Sequence, residues 1–377
     1  MSAPPATFDR ADAMSTLPRA PRVDRVADAP PGVAHVTAAE AADQAGRWTP
    51  ATRQIVAATV AALAAAVAGI AGVGATGTGA AVAVLCLAVA ASLAAGTRLG
   101  RSGHRYAGLV LTTVPVGLAV PIALTVGRVG RLSLPDAGRV GLLVAWVALG
   151  VGIGLGRRHR GAFVGAVVGV ALTGLPLLLG LMMPAREVDA LVACVAVVAG
   201  GLLPWYAMAA SGLTGLDDAV GAVQARTRVR VTLDEAHRAL TWSTLAVALT
   251  LTLSTAGLLT TGSGTATALG LVVVAVVALR TRSLPLCGQV VALWGAVVIP
   301  LAAGLLGPLG TTRPALAATA AVAAGLVMAV AAGLELSGPR RARLRRLGDL
   351  IEVVCALAVL ALTLAVFGVF TDLLGTF

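Results

Sequence analysis

The sequence predicts an all-α, polytopic integral membrane protein with about eleven transmembrane helices. Of its 377 residues, 58% are apolar and only 12% are charged, and the mean hydropathy is +0.92. A water-soluble domain does not tolerate such a composition. The charged residues also concentrate between apolar stretches of about 20 residues, the length that a spanning helix needs. Finally, arginine is abundant in every second loop, as expected when a chain crosses a membrane repeatedly.

The first element is a polar tail at residues 1–50, which holds seven of the 18 prolines and no periodic apolar pattern. We expect it to be disordered, cytoplasmic and linker-like. It contains no short apolar core of the kind that a secretory signal requires. Residues 51–377 then form the predicted transmembrane domain.

The first six predicted spans follow the tail, and clusters of arginine or short uncharged turns separate them. The spans are Gln54–Val73, Thr78–Ala95, Ala107–Val126, Val140–Gly156, Gly161–Met182 and Val188–Ala210. A polar interval at 211–238 follows. In that interval, Leu216, Val220 and Val223 recur at helical spacing, which predicts a cytoplasmic surface helix.

Five further spans complete the predicted domain, and each is an apolar run bounded by polar residues. They are Ala239–Thr260, Gly264–Leu279, Leu286–Leu306, Pro314–Gly333 and Leu350–Phe370. A second cytoplasmic helical element is predicted at 335–349, where Pro339 is suited to the first turn of a helix.

The arginines predict the orientation, because cytoplasmic loops retain positive charge. With the amino terminus inside, seventeen arginines lie in internal loops and five lie in external ones. The five external ones are Arg128, Arg131, Arg139, Arg186 and Arg313. An odd number of spans places the carboxyl terminus outside.

The predicted spans hold no ionisable group at mid-depth, which argues against proton relays, voltage sensors and ion-coupled transport. The strongest polar candidate is Gln289, for which interhelical hydrogen bonding or a functional contact are both open. Four cysteines and four histidines show no metal-ligand spacing. We find no catalytic constellation, and we expect no enzyme activity, cofactor or bound metal. Because the basic charge lies beside apolar segments, we expect it to contact anionic lipids and not nucleic acid.

Partner or lipid contacts are predicted at the two cytoplasmic elements and at the loop after the eighth span. The candidate residues are Arg226, Arg228, Arg230, Arg238, Arg280, Arg282, Gln289, Arg340, Arg341, Arg345, Arg346, Asp349 and Glu352. Asp349 is three residues from Arg346 and four from Arg345, so local ion pairing is the simpler expectation for this carboxylate.

Three stretches resemble the EccD family, the integral membrane component of actinobacterial type VII (ESX) secretion systems. They are Asp234-Glu235-Ala-His237-Arg238 before the seventh span, Leu279-Arg280-Thr-Arg282-Ser283 with Gln289, and Pro339-Arg340-Arg341 with Asp349 and Glu352. The resemblance covers residues 48–377. The family usually begins with a ubiquitin-like cytosolic domain, and residues 1–50 resemble only the linker that follows it.

The resemblance implies a non-enzymatic scaffold or channel-complex subunit in the inner (plasma) membrane. It implies a homodimer and partnership with other secretion subunits, including a separate FtsK/SpoIIIE-like ATPase. A small-molecule permease or exporter, with a site at proline-broken helices, is the main alternative. A membrane enzyme acting on a lipid-linked substrate is a third reading, although the external acids are few.

Overall fold

The computed structural model describes residues 50–75, 78–155, 160–210, 222–283, 287–307 and 338–370, together with single residues between 311 and 322. The predicted tail therefore lies outside the described residues except for Pro50. Most of the predicted tenth span, 314–333, and part of the predicted cytoplasmic element at 211–238 also lie outside them. The carboxyl-terminal residues 371–377 are likewise not described.

Ten α-helices run through the described residues, and no β-strand occurs there. They are α1 (Pro50–Ala75), α2 (Thr78–Arg101), α3 (Arg105–Gly130), α4 (Leu134–Leu149), α5 (Arg160–Leu179), α6 (Ala185–Ala210), α7 (Ala222–Thr260), α8 (Gly264–Arg280), α9 (Cys287–Leu306) and α10 (Gly338–Val366). They fall on ten of the eleven predicted spans. The all-α, polytopic fold class is confirmed.

Eight of these helices are long and apolar enough to cross a membrane: α1 to α5, α7, α9 and α10. The apolar helix α8 is shorter, at 17 residues. Helix α6 is longer, with 26 residues, and its first two turns are charged: they contain Arg186, Glu187 and Asp189. The short helix α8 is long enough to cross only part of a hydrocarbon core about 30 Å thick.

Helix α7 is the central element of the main hydrophobic core. It packs against α4, α5, α6, α8 and α9, and 72% of its most apolar stretch is buried. Several of its hydroxyls donate to carbonyls one turn earlier, as Thr244 does to Leu240 and Thr250 to Ala246. This pairing satisfies polar groups that would be costly to leave unpaired away from water. The buried hydroxyls of Ser243 and Thr255 have no partner among the described residues.

Two smaller clusters complete the packing. Leu85, Leu118 and Ile122 join α2 and α3, with contributions from α1 and α4. Trp146, Ala166 and Ala246 join α4, α5 and α7. Glycines allow close approach of helices within the chain: a Cβ at Gly165 would overlap Trp242, and one at Gly169 would overlap the Trp146 ring.

Several prolines lie within helices and do not end them. Pro115 and Pro121 lie inside α3, Pro176 inside α5 and Pro300 inside α9. The regular helix is lost elsewhere, in a π-helical turn at Gly150–Leu155 that follows α4. Its glycines face neighbouring helices closely, since a Cβ at Gly152 would come within 2.6 Å of Thr112.

Candidate functional site

Two clusters of charged side chains join helices in the bundle, one at the start of α6 and one near its middle. The first, the Arg139 cluster, consists of Ser133, Asp136, Arg139, Asp189 and Ser254. The second, the Arg280 cluster, consists of Arg280, Arg282, Asp349 and Glu352. The first was not anticipated from the sequence, whereas all four residues of the second were predicted as contact residues.

The Arg139 cluster begins with the cap of α4. Ser133 is the N-cap residue: its hydroxyl accepts a hydrogen bond from the Asp136 backbone N–H at 3.3 Å and donates to Asp136 Oδ2 at 2.6 Å. This is the serine-then-acid pattern that favours the start of a helix. It places Asp136 one turn before Arg139, whose Nη1 donates to Asp136 Oδ1 at 2.6 Å.

Arg139 also joins α4 to two other helices. Its Nη2 donates to Asp189 Oδ1 on α6 and, at 3.4 Å, to Ser254 Oγ on α7. Arg139 and Asp189 are each only 3% exposed. Gly257 gives the Asp189 carboxylate its space, because a Cβ at Gly257 would overlap it. Two buried opposite charges therefore connect three helices.

This arrangement corrects the sequence analysis at Arg139. We assigned Arg139 to an external loop because the predicted fourth span began at Val140. Helix α4 instead begins at Leu134, so Arg139 lies within the second turn and is buried. The available signal was the three-residue spacing of Ser133, Asp136 and Arg139, which predicts a capped helix and not a loop.

In the Arg280 cluster, the end of α8 contacts the middle of α10. Arg280 Nε lies 3.4 Å from Glu352 Oε1, and Arg282 Nη2 lies 3.9 Å from Asp349 Oδ1. Arg280 Nη1 also donates to the Val197 carbonyl on α6 at 2.7 Å. A single guanidinium thus bridges α6 and α10.

Glycines make room for both arginines of this cluster. A Cβ at Gly200 or Gly201 would lie 3.1 or 3.0 Å from a terminal nitrogen of Arg280, and a Cβ at Gly348 would overlap the Arg282 guanidinium. The side chain of Arg280 is 21% exposed, and that of Asp349 is 66% exposed. The first pair is therefore better protected from solvent screening than the second.

A cavity of about 210 Å³ lies beside Arg280 and Glu352, among α6, α7, α8, α9 and α10. Its walls include Gly200, Gly201, Thr244 and Leu293. Such a volume, lined partly by charged groups, is large enough to hold several water molecules.

Gln289 is fully buried on α9, where its Nε2 lies 3.4 Å from the hydroxyl of Thr241 on α7. Its Oε1 has no hydrogen-bond partner among the described residues. The contact to α7 is an interhelical hydrogen bond, as the packing interpretation of this residue predicts. It lies one helical turn from Leu293, which lines the cavity.

The remaining predicted contact residues lie at the starts of α7 and α10. Arg226, Arg228 and Arg230 fall on the first turns of α7, and Arg340, Arg341 and Arg345 on those of α10. The side chains of these six arginines lie outside the described residues. Arg238 and Arg346 are exposed. The role of this set in partner or lipid binding stays a prediction.

Asp349 was expected to pair locally with Arg345 or Arg346. Among the residues whose side chains are described, its ion-pair partner is Arg282, which follows α8. The side chain of Arg345 lies outside them, so pairing with Arg345 stays a prediction. Helical spacing alone could not reveal the contact with Arg282, because it joins residues 67 positions apart that only the packing of α10 on α8 brings together.

The described residues thus define a class: a multi-pass, all-α membrane protein in which buried ionic contacts join helices. Comparison with known proteins specifies it further. The EccD-like transmembrane domain family matches residues 51–376, so the chain belongs to the EccD family and is a membrane component of the type VII secretion class.

A solved structure shares the fold. A chain of the solved structure of protomer 1 of the ESX-3 core complex superimposes with a TM-score of 0.54 at 18% sequence identity. The match covers 98% of the present chain and 81% of that one. No curated protein sequence matches this chain.

Proposed function

We propose that this protein is a non-enzymatic scaffold subunit of a type VII secretion complex in the inner (plasma) membrane. The observation that carries the proposal is the family match, which extends over residues 51–376 and so over nearly all of the apolar part. The solved chain with the same fold belongs to an ESX-3 core complex. A scaffold needs helices held in fixed relative positions, and both ion clusters act in that way.

The proposed partners are a second copy of this chain, other secretion subunits and an FtsK/SpoIIIE-like ATPase that supplies the energy. The basic starts of α7 and α10 are the proposed contact surfaces, because exposed arginines attract acidic protein surfaces and anionic headgroups. Arg238 and Arg346 are the two members of this set whose side chains are seen to be exposed.

The experiment is purification of a tagged copy from its own host in mild detergent, followed by mass spectrometry and a native mass measurement. We expect recovery of the ATPase and further secretion subunits, with two copies of this chain per particle. Glutamine at Arg340, Arg341, Arg345 and Arg346 should reduce that recovery. Glutamine at Arg186, an exposed arginine at the start of α6, is the control. Recovery of a lone monomer would contradict the proposal.

A small-molecule permease remains the second candidate, because the cavity beside Arg280 and Glu352 offers polar groups inside the bundle. A permease would require this cavity for transport. If glutamine at Glu352 leaves secretion intact and abolishes uptake or export of a small solute, the permease is favoured over the scaffold.

A further inference from the structure

An open apolar groove of about 470 Å³ runs along the outside of α3, α4 and α7. Small residues form its floor, among them Ala119, Ala123, Ala137, Gly138 and Gly141. Larger aliphatic side chains form its walls, namely Val116, Val120, Leu124, Leu142, Leu249 and Leu253. The one hydroxyl in the lining, that of Thr252, donates to the Ala248 carbonyl. The groove therefore presents hydrocarbon to whatever fills it.

The length of the groove corresponds to one leaflet of a bilayer. Along α3 its lining extends from Val116 to Leu124, which is about 12 Å at the helical rise, and along α4 from Leu134 to Ala145, which is about 16 Å. Half of the hydrocarbon core is about 15 Å thick. An extended acyl chain of one leaflet would fit this length.

Two exposed arginines lie at the end of the groove where α3 turns into α4. Arg128 is one helical turn beyond Leu124 on the same face of α3, and Arg131 precedes Leu134 by three residues. Arg131 caps α3 in the left-handed conformation, with φ of 50°. Among the described residues, no carboxylate lies within ion-pair distance of either guanidinium, while nearby Asp136 is bound to Ser133 and Arg139.

The predicted topology places Arg128 and Arg131 on the side of the membrane where arginine is normally scarce. Cytoplasmic loops collect positive charge, and external loops are normally poor in it. Of the five arginines that the sequence places outside, Arg128 and Arg131 lie at this single turn. Arg139 follows them but is buried and paired. Two exposed cations at the head of a leaflet-length apolar groove complement a lipid with a negative headgroup.

We propose that the groove between α3, α4 and α7 binds one anionic phospholipid of the outer leaflet, with an acyl chain in the groove and the phosphate at Arg128 and Arg131. The site is built from one copy of the chain, and it goes beyond the proposed scaffold role without depending on it.

The test is photocrosslinking in vesicles that contain phosphatidylglycerol with a diazirine on the acyl chain, in a background of phosphatidylcholine. Peptide mapping should find the label enriched at 116–124 and 134–145 over the exposed faces of α1 and α10. The same diazirine on phosphatidylcholine should label the groove less. Equal labelling by both lipids, or even labelling of all lipid-facing helices, would overturn the proposal.

Two variants sharpen the result. Arg128→Gln with Arg131→Gln should lower groove labelling by phosphatidylglycerol by about fivefold or more, since each cation near a membrane surface contributes about that factor. Arg186→Gln is the matched control, because this arginine lies at the same end and is exposed but does not line the groove. Ala123→Phe should block the groove. If Ala123→Phe fails to fold, the double arginine variant still tests the proposal. Groove labelling unchanged from that of the unmodified protein would then refute the site.

Discussion

At the scale of single residues, the Arg139 contact to Asp189 is the most consequential. Both side chains are buried, and the pair is shared among α4, α6 and α7. Removing one member of a buried ion pair leaves an uncompensated charge, whereas replacing both by apolar groups removes the problem. Replacing one member of the pair should therefore lower the stability of the protein, whereas replacing both should leave it much less affected.

We predict that Arg139→Met alone, or Asp189→Leu alone, lowers the free energy of unfolding by about 3–5 kcal/mol. The double variant should recover most of that loss. Thermal unfolding of the detergent-solubilised protein measures both effects. Arg186→Gln is the control, since Arg186 is 56% exposed and lies 3.7 Å from Glu187, so that its loss should change stability by less than about 1 kcal/mol. A double variant as unstable as the single ones would contradict the uncompensated-charge explanation.

At the scale of elements, α10 is held to the bundle largely through α8. Its outer face is apolar and exposed, as at Leu350, Val354 and Leu357. Its middle is joined to the end of α8 by the Arg280 cluster, and Arg280 extends the connection to α6 through the Val197 carbonyl. The two arginines differ in burial and in distance to their partners, so they should differ in effect.

We predict that Arg280→Gln lowers the free energy of unfolding by about 1.5–3 kcal/mol, because it removes charge-assisted hydrogen bonds. The matched variant Arg282→Gln should cost less than about 1 kcal/mol, since Arg282 is 40% exposed and lies 3.9 Å from Asp349. Thermal unfolding of the two purified variants provides the comparison. Equal losses of unfolding free energy in the two variants would show that the contact of Arg280 with α6 contributes nothing to stability.

At the scale of the whole molecule, consecutive helices joined by short turns place alternate turns on opposite sides of the membrane. The arginine distribution predicts which side each turn occupies. The turn after α2, at Ser102, is expected inside, and the turn after α3, at Leu132, is expected outside. Both positions are exposed.

We predict opposite labelling of single cysteines at these two turns in a variant that lacks Cys86, Cys194, Cys287 and Cys355. In spheroplasts, Leu132→Cys should react with a membrane-impermeant maleimide, and Ser102→Cys should react only after permeabilisation. A cysteine after Phe377 extends the test to the predicted external carboxyl terminus. Reversed labelling would invert the orientation, and with it the leaflet of the proposed lipid site.

Much of the fold could be predicted from composition and spacing, because a membrane requires long apolar helices with satisfied backbone groups. Ten of the predicted spans carry helices. Arg280, Arg282, Asp349 and Glu352 were predicted to contact a partner or lipid, and that role stays a prediction. Their pairing with one another within the chain was not predicted, since it depends on α10 packing on α8. We expected Asp349 to pair with Arg345 or Arg346, because neighbours at (i, i+3) and (i, i+4) are the only ones that a sequence reveals.

The sequence by itself determined the fold class, the approximate spans and the resemblance to EccD, since all of these depend on local composition and order along the chain. Only the tertiary structure decided that Arg139 is buried and bound to Asp189, that Arg282 meets Asp349, and that α3, α4 and α7 leave a groove ending at Arg128 and Arg131. Each of these results from contacts between helices distant in sequence. Side-chain packing fixes such contacts, and neither hydropathy nor periodicity encodes which helices become neighbours.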